Sequence, residues 1–423
     1  MNMEIEHVFL NIVIILAAAR ILGEVFRRMK QPALVGEILA GMILGPTLFG
    51  ILQTDKSFDV LSSIAVFFLM LLAGLEMDLR EIKKAGKSAV AVSLIAFTVP
   101  FLVGSQVASL FGLSTVESLF MGLLLSITAV PVSAIVLMEF GILKSKIGNT
   151  VMTAAVINDI LALVVLGVIL QMSANVNSQL DLSTLGVSVA KVVAFVAIMA
   201  LLSLIISKTS HLFPNKIELF FDKLQSREAV FGILLVLSIT VSLFAQYNGL
   251  HFIIGTFFAG LIFSKKLLPR KQADRAYGIV SGITFGFFAP LFFGFIGIEF
   301  NAKSIIAYIP LFVALLAVAI TTKIGGGFIG AKISKFSNND SLAIGTLMNG
   351  RGMIELAIAA IGLTVGILNI SLFSIAVAIG FVTTILAPLL ARPFIIKAKL
   401  SESGKVTERD TEKVRDSHIV NPS

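Results

Sequence analysis

Thirteen apolar stretches, each long enough to cross the roughly 30 Å hydrocarbon core of a bilayer, follow one another along this chain. They cover residues 8–26, 33–52, 58–77, 88–111, 117–140, 148–171, 184–206, 228–246, 250–264, 276–298, 304–329, 341–366 and 370–391. The longest connectors, 172–183 and 207–227, are too short to hold a domain. In lipid every backbone N–H and C=O must find its partner inside the protein, so spans of this kind are expected to be helices and the fold all-α and polytopic. Composition supports this reading: 14% of residues are charged and 57% hydrophobic, whereas an average soluble domain carries about 25% charged residues. Cysteine is absent, which excludes disulfides, thiol catalysis and cysteine-held metals. His7, His211, His251 and His418 show no pair at the spacing of a helical zinc motif. The first span has no basic leader and no small-residue cleavage signal, so it is expected to be a retained helix.

Orientation follows from the cations, because Lys and Arg concentrate in cytoplasmic loops. Alternate connectors carry Arg27, Arg28 and Lys30, then Arg80, Lys83, Lys84 and Lys87, and later Lys265, Lys266, Arg270, Lys271 and Arg275. The connectors between them hold only Lys56 and Lys303. This alternation predicts an outer N-terminus and a cytoplasmic C-terminus, and it supports the count of thirteen, since a missed span would invert the pattern downstream. The net charge of +8 is thereby a matter of topology and anionic lipid, with no nucleic acid implied.

Thirteen spans divide as six, one and six. Residues 1–392 read as one membrane domain with repeats at 8–171 and 228–391 around a linker helix at 184–206; the tail, 393–423, is polar and expected to lack structure. Two six-helix halves separated by a single crossing have opposite orientations, the inverted-repeat plan of many secondary transporters, whose sites lie where helices are broken in both halves. The fifth span of the first half contains Ser126-Ile127-Thr128-Ala129-Val130-Pro131, and that of the second contains Gly345-Thr346-Leu347-Met348-Asn349-Gly350-Arg351-Gly352. Discontinuous, crossed helices are predicted at these two places.

Few ionisable residues lie within the spans. Asp159 stands eleven residues into the sixth span, ~16 Å deep at the helical rise and so near the bilayer centre. A lone carboxylate there costs about 2.5 kcal/mol or more, and one reached by water holds either a proton or a monovalent cation. Asn158 is its neighbour, and Lys323, before Gly325-Gly326-Gly327, is the expected counter-charge. Arg351 and Glu355 form an i, i+4 pair that could also compensate broken helix ends. Glu37 and Glu76 are weaker candidates. Arg20, Glu24 and Lys191 lie near span ends and are expected to reach the interface.

Four stretches resemble the monovalent cation:proton antiporter superfamily, in particular the antiporter-2 branch of sodium/proton and potassium/proton exchangers. They are Pro32-Ala33-Leu34-Val35-Gly36-Glu37-Ile38-Leu39-Ala40-Gly41 with Leu44-Gly45-Pro46; Leu72-Ala73-Gly74-Leu75-Glu76-Met77-Asp78; Thr128 to Pro131 with Asn158-Asp159; and Gly350-Arg351-Gly352 with Glu355. The resemblance implies a core domain that moves against a dimerisation domain, with Asp159 binding cation and proton in turn. It makes Asn158 the helper, Thr128 a contributor at the crossing and Lys323 the basic partner. Exchangers of this superfamily differ in the motif: some carry two adjacent acids where this chain has Asn158 first. Others have Glu and Ser where this chain has Ala154 and Ala155.

The expected protein is therefore a secondary antiporter exchanging Na+, or K+ or Li+, for H+ at Asp159, electroneutral if Lys323 keeps its proton. It needs no catalytic residues and no cofactor. Its surroundings are the lipid bilayer; a prokaryotic plasma membrane and a homodimer are expected, with Ala17-Ala18-Ala19 allowing close helix approach. A sodium-coupled symporter or a cation channel on the same plan remains the alternative. An aspartyl intramembrane protease would need a second central Asp, and a serine type a buried His; neither is offered.

Overall fold

Among the described residues of the computed structural model, all regular structure is helical; these are 2–29, 31–53, 56–77, 86–174, 182–212, 227–263 and 270–419. In chain order the helices are α1 (Asn2–Arg28), α2 (Ala33–Leu44), α3 (Lys56–Glu76), α4 (Lys87–Leu110), α5 (Thr115–Ser126), α6 (Val130–Glu139), α7 (Lys146–Ala174) and α8 (Leu182–Leu212). They continue with α9 (Arg227–Tyr247), α10 (Phe252–Ile262), α11 (Arg270–Ile283), a π-helical turn (Thr284–Phe288), α12 (Ala289–Glu299) and α13 (Ala302–Ala307). The last four are α14 (Ile309–Ile333), α15 (Asn338–Leu347), α16 (Met353–Thr364) and α17 (Ile370–Ile419). Residues 78–85, 213–226 and 264–269, with Arg80, Lys83, Lys84, Lys216, Lys223, Lys265, Lys266 and the motif residue Asp78, lie outside the described set.

Nine of the described helical segments are long and apolar enough to cross a membrane, and four apolar helices are shorter. Each of the thirteen sequence stretches overlaps one of these, but not every stretch is a full span. α2 stops at Leu44, where the Gly45 N–H closes onto the Gly41 carbonyl and Pro46 cannot extend the ladder. Large apolar side chains such as Phe9 and Val13 of α1 and Val193 and Leu201 of α8 are exposed, as lipid-facing surfaces require. The tail predicted to lack structure continues α17 to Ile419 in its described part.

Two sets of helices pack mainly among themselves. α4, α5, α7, α14, α15 and α17 form one; α1, α2, α3, α9, α10, α11 and α12 form the other, with α8 lying on α7 and α10. Glycines set the closest crossings. A Cβ on Gly41 of α2 would fall 1.9 Å from the Gly294 carbonyl oxygen of α12, and one on Gly74 of α3 2.1 Å from that of Phe257 in α10. Gly326 and Gly330 admit α4 to α14 in the same way, at Ala96 and Val92, which explains part of the glycine run beside Lys323. The loop into α5 turns at Gly112, at φ 85°. Ser114 then caps α5, its hydroxyl accepting from the Glu117 N–H while the Glu117 carboxylate accepts from the Ser114 N–H.

Arg20 does not reach for the interface. Its guanidinium donates to the carbonyls of Phe285 and Gly286, at 2.5 and 2.6 Å, inside the π turn, where carbonyls fall off the regular ladder and need other donors.

Candidate functional site at the crossing of two broken helices

Both predicted interruptions are present. α5 ends at Ser126, Ile127 and Ala129 are extended, and α6 begins at Val130 with Pro131 in its first turn. Proline has no N–H to continue the ladder, and its ring excludes the carbonyl four residues back, so the helix must restart here. α15 ends at Leu347 and α16 begins at Met353. The two breaks hold one another: the Ala129 N–H donates to Gly350 O at 2.7 Å, Thr128 Oγ1 to Met348 O at 3.1 Å, and Ser133 Oγ to Leu347 O at 2.7 Å. Side chains would not fit between them. A Cβ on Gly352 would lie 2.7 Å from the Ala129 Cβ, and one on Gly350 3.0 Å from Val132 Cγ1.

The open C-terminal end of α5 leaves carbonyls without intrahelical donors, carrying the negative end of the helix dipole. Two buried cations meet it. Arg351 donates to Leu124 O at 2.6 Å and to Leu125 O at 2.9 Å, and the Lys323 amino group donates to Ser126 O. Arg351 also pairs with Glu355 at 2.8 Å, so the i, i+4 contact and the compensation of a broken end exist together. Thr384 Oγ1 donates to the Arg351 carbonyl at 3.0 Å. Lys323 and Asp159, by contrast, form no ion pair within 4.0 Å among the described residues.

Asp159, on α7, is 3% exposed, and its Oδ1 has no hydrogen-bond partner. Asn158 beside it is fully engaged. Its Oδ1 accepts from Ser93 Oγ at 2.5 Å, and its Nδ2 donates to Thr128 Oγ1 at 3.1 Å. A continuous chain therefore runs from Ser93 of α4 through Asn158 and Thr128 to the Met348 carbonyl, tying α7 to both breaks.

Asp159 lines a cavity of about 500 Å³, open mouth included, with Thr128, Ala129 and Pro131 of the first break, Gly352 and Glu355 of the second, and Glu76 and Met77 of α3. Glu76 and Pro131 are exposed, which places the mouth at the end of α3 and the start of α6. Glu76 Oε1 accepts from the Tyr277 hydroxyl at 2.9 Å. The sequence candidates are thus sorted by position: Asp159, Thr128, Pro131, Glu355 and Glu76 share the cavity, while Asn158, Lys323 and Arg351 stand behind it. Glu37 is elsewhere, 6% exposed on α2 against Gly23 of α1.

Sequence reading missed Ser93, Ser133 and Asn349, the last fully buried with both amide atoms unpartnered. Serine within a span gives no signal by itself, since its hydroxyl ordinarily bonds its own helix. Asn349 could have been noticed as an amide inside a glycine-rich break. Chemically the cavity offers oxygen donors, a carboxylate and a hydroxyl, of the kind that hard cations take. Among the described residues no three His, Cys, Asp or Glu side chains are grouped closely enough to hold a metal ion together.

A family model described as "Sodium/hydrogen exchanger, transmembrane" matches residues 12–397. The Na(+)/H(+) antiporter of Enterococcus hirae is 32% identical over 385 residues, 91% of this chain and 97% of that one. The Na(+)/H(+)-K(+) antiporter GerN of Bacillus cereus is 29% identical over 404 residues, 95% of this chain and 100% of the relative. The solved sodium proton antiporter MjNhaP1 from Methanocaldococcus jannaschii has the same fold, with a TM-score of 0.69 over 93% of this chain and 99% of its own, at 17% identity.

Proposed function

The chain belongs to the sodium/hydrogen exchanger family, and we propose that it is a secondary antiporter in which one monovalent cation, Na+ in the first place, and H+ compete for Asp159. The observation that carries this reading is the Asp159 carboxylate itself, buried in a cavity with one oxygen unpartnered and no cation within salt-bridge distance. A carboxylate so placed must be neutralised by what enters the cavity. Thr128 Oγ1 and the carbonyls of the extended segment add ligands for a bare cation, and a proton needs none of them.

Coupling follows from charge. An empty, ionised site is costly to carry across a dry barrier, whereas the protonated or cation-loaded site is neutral, so only loaded forms cross and access alternates. Lys323 is spent on the Ser126 carbonyl, which supports a static role for it and a one-for-one, electroneutral exchange. Asn158 positions the site from behind through Ser93 and Thr128.

The test uses purified protein in liposomes with a trapped pH dye and an imposed pH gradient, to which Na+, K+ or Li+ is added, with valinomycin and K+ clamping the voltage in the Na+ and Li+ runs. Cation-driven dissipation that Asp159→Asn abolishes, at a rate indifferent to the clamp, is the expected result. Exchange persisting in Asp159→Asn would remove the carboxylate from the mechanism, and dependence on an organic solute would favour a symporter.

A further inference from the structure

The tightest helix crossings occur in matching pairs. A Cβ on Gly74 of α3 would meet Phe257 O at 2.1 Å, Leu261 N at 2.8 Å and the Gly260 Cα at 3.0 Å. On Gly297 of α12 it would meet Ile38 O at 2.1 Å, Met42 N at 2.7 Å and the Gly41 Cα at 2.8 Å. The α2 segment Gly36-Glu37-Ile38-Leu39-Ala40-Gly41 thus corresponds to Gly255-Thr256-Phe257-Phe258-Ala259-Gly260 of α10. Gly36 packs on the Leu22 carbonyl of α1 as Gly255 does on the Val241 carbonyl of α9.

The offset that relates Gly74 to Gly297 also relates Gly104 to Gly327 and Gly122 to Gly345. Each member of the last pair meets backbone of the preceding long helix, at Phe101 and Ile324. It relates the helix caps Ser114 and Ser337 and the positive-φ residues Gly112 and Lys335. Under the same offset Glu76 corresponds to Glu299, the last residue of α12, in the parallel runs Gly74-Leu75-Glu76 and Gly297-Ile298-Glu299. Asp159 has no such counterpart, since Val382 takes its place.

We propose that Glu299 is the outer counterpart of Glu76, the carboxylate at the mouth through which cations reach Asp159 when the cavity opens to the opposite side. Glu76 is an exposed carboxylate on the lining of the present cavity, at the end of α3 that leads into the Arg80, Lys83, Lys84 connector. Glu299 is half-buried at the end of α12 that leads into the opposite connector, with Lys303. The segment following it already touches the Asp159-bearing set of helices, for the Asn301 N–H donates to Ser374 Oγ of α17 at 2.9 Å. A carboxylate at each entrance raises the local cation concentration over a single central site, and two related entrances provide it on both faces without a second binding acid. This inference rests on the antiport reading above.

The test measures the KM for Na+ separately at each face, in right-side-out and inverted membrane vesicles. Glu299→Gln is expected to raise the KM roughly three- to tenfold for Na+ offered outside, Glu76→Gln for Na+ offered inside, and Glu299→Asp to restore most of the loss. Because the chain has no cysteine, Glu299→Cys creates a unique thiol. A membrane-impermeant sulfonate methanethiosulfonate applied outside should return the KM toward wild type, and its trimethylammonium analogue should raise it further. An active wild type whose outer KM ignores Glu299→Gln, a rise equal at both faces, or a thiol indifferent to the sign of its adduct would each overturn the proposal. A wild type that exchanges no cation for protons at either face would instead sink the antiport reading, and this inference with it.

Discussion

Asp159 and Arg351 show how differently two buried charges are handled. The carboxylate is left short of partners on the cavity, so its neutralisation is variable. Competition predicts a sign for pH: each unit of acidification that protonates the site should raise the KM for Na+ by up to about tenfold, because cation binding must expel the proton. Initial rates of exchange at a series of Na+ concentrations between pH 6 and 9 would check this, and a KM independent of pH would separate the two binding events. The guanidinium, in contrast, is held through both terminal nitrogens by two carbonyls and Glu355. Arg351→Ala strands Glu355 in the core and uncaps α5, at a cost of about 3–5 kcal/mol. Arg351→Lys should recover only part of this, since an ammonium lacks the planar fork that reaches two successive carbonyls and a carboxylate together. Thermal unfolding in detergent of the three proteins would rank them, and equal stability of Arg351→Lys and wild type would remove the fork from the explanation.

Among the elements, the breaks and crossings are set by small residues and proline. The glycine crossings are backbone against backbone, so no rotamer change relieves an added methyl. Gly41→Ala, with its Cβ 1.9 Å from the Gly294 oxygen, should destabilise by about 3 kcal/mol. Gly232→Ala on α9 meets open space and should stabilise by about 0.5–1 kcal/mol, the ordinary preference of a helix interior for alanine. Apparent melting temperatures that moved in the same direction would mean the crossing between α2 and α12 is looser than described. Helices α5, α6, α15 and α16 are each about half a span because Pro131 and the Gly350-Arg351-Gly352 run end the ladder in mid-protein. Both interruptions were legible in the chain as residue types that cannot sit inside a regular helix. The hydrogen bonds between them were not, because Ala129 and Gly350 are brought together only by packing.

For the molecule as a whole, hydrophobic length and charge were the informative quantities. Thirteen apolar stretches, a lone acid in the sixth and paired interruptions in two of them are properties of the chain itself, because lipid enforces backbone satisfaction segment by segment and makes an isolated charge conspicuous. Sequence alone therefore determined an all-helical membrane protein with crossed breaks near Asp159. It could not determine that α2 and α10 are shorter than the apolar stretches that contain them, nor that Arg20 caps a π turn across the fold. Nor could it place the Lys323 amino group: as a basic residue within a span it was the expected counter-charge of Asp159, and only the fold shows that it donates to the Ser126 carbonyl at the open end of α5. Tertiary structure decided which carbonyls were orphaned, which cations met them and which carboxylate oxygen was left without a partner. Those are outcomes of three-dimensional competition for hydrogen-bond partners, and no local pattern in the chain encodes them.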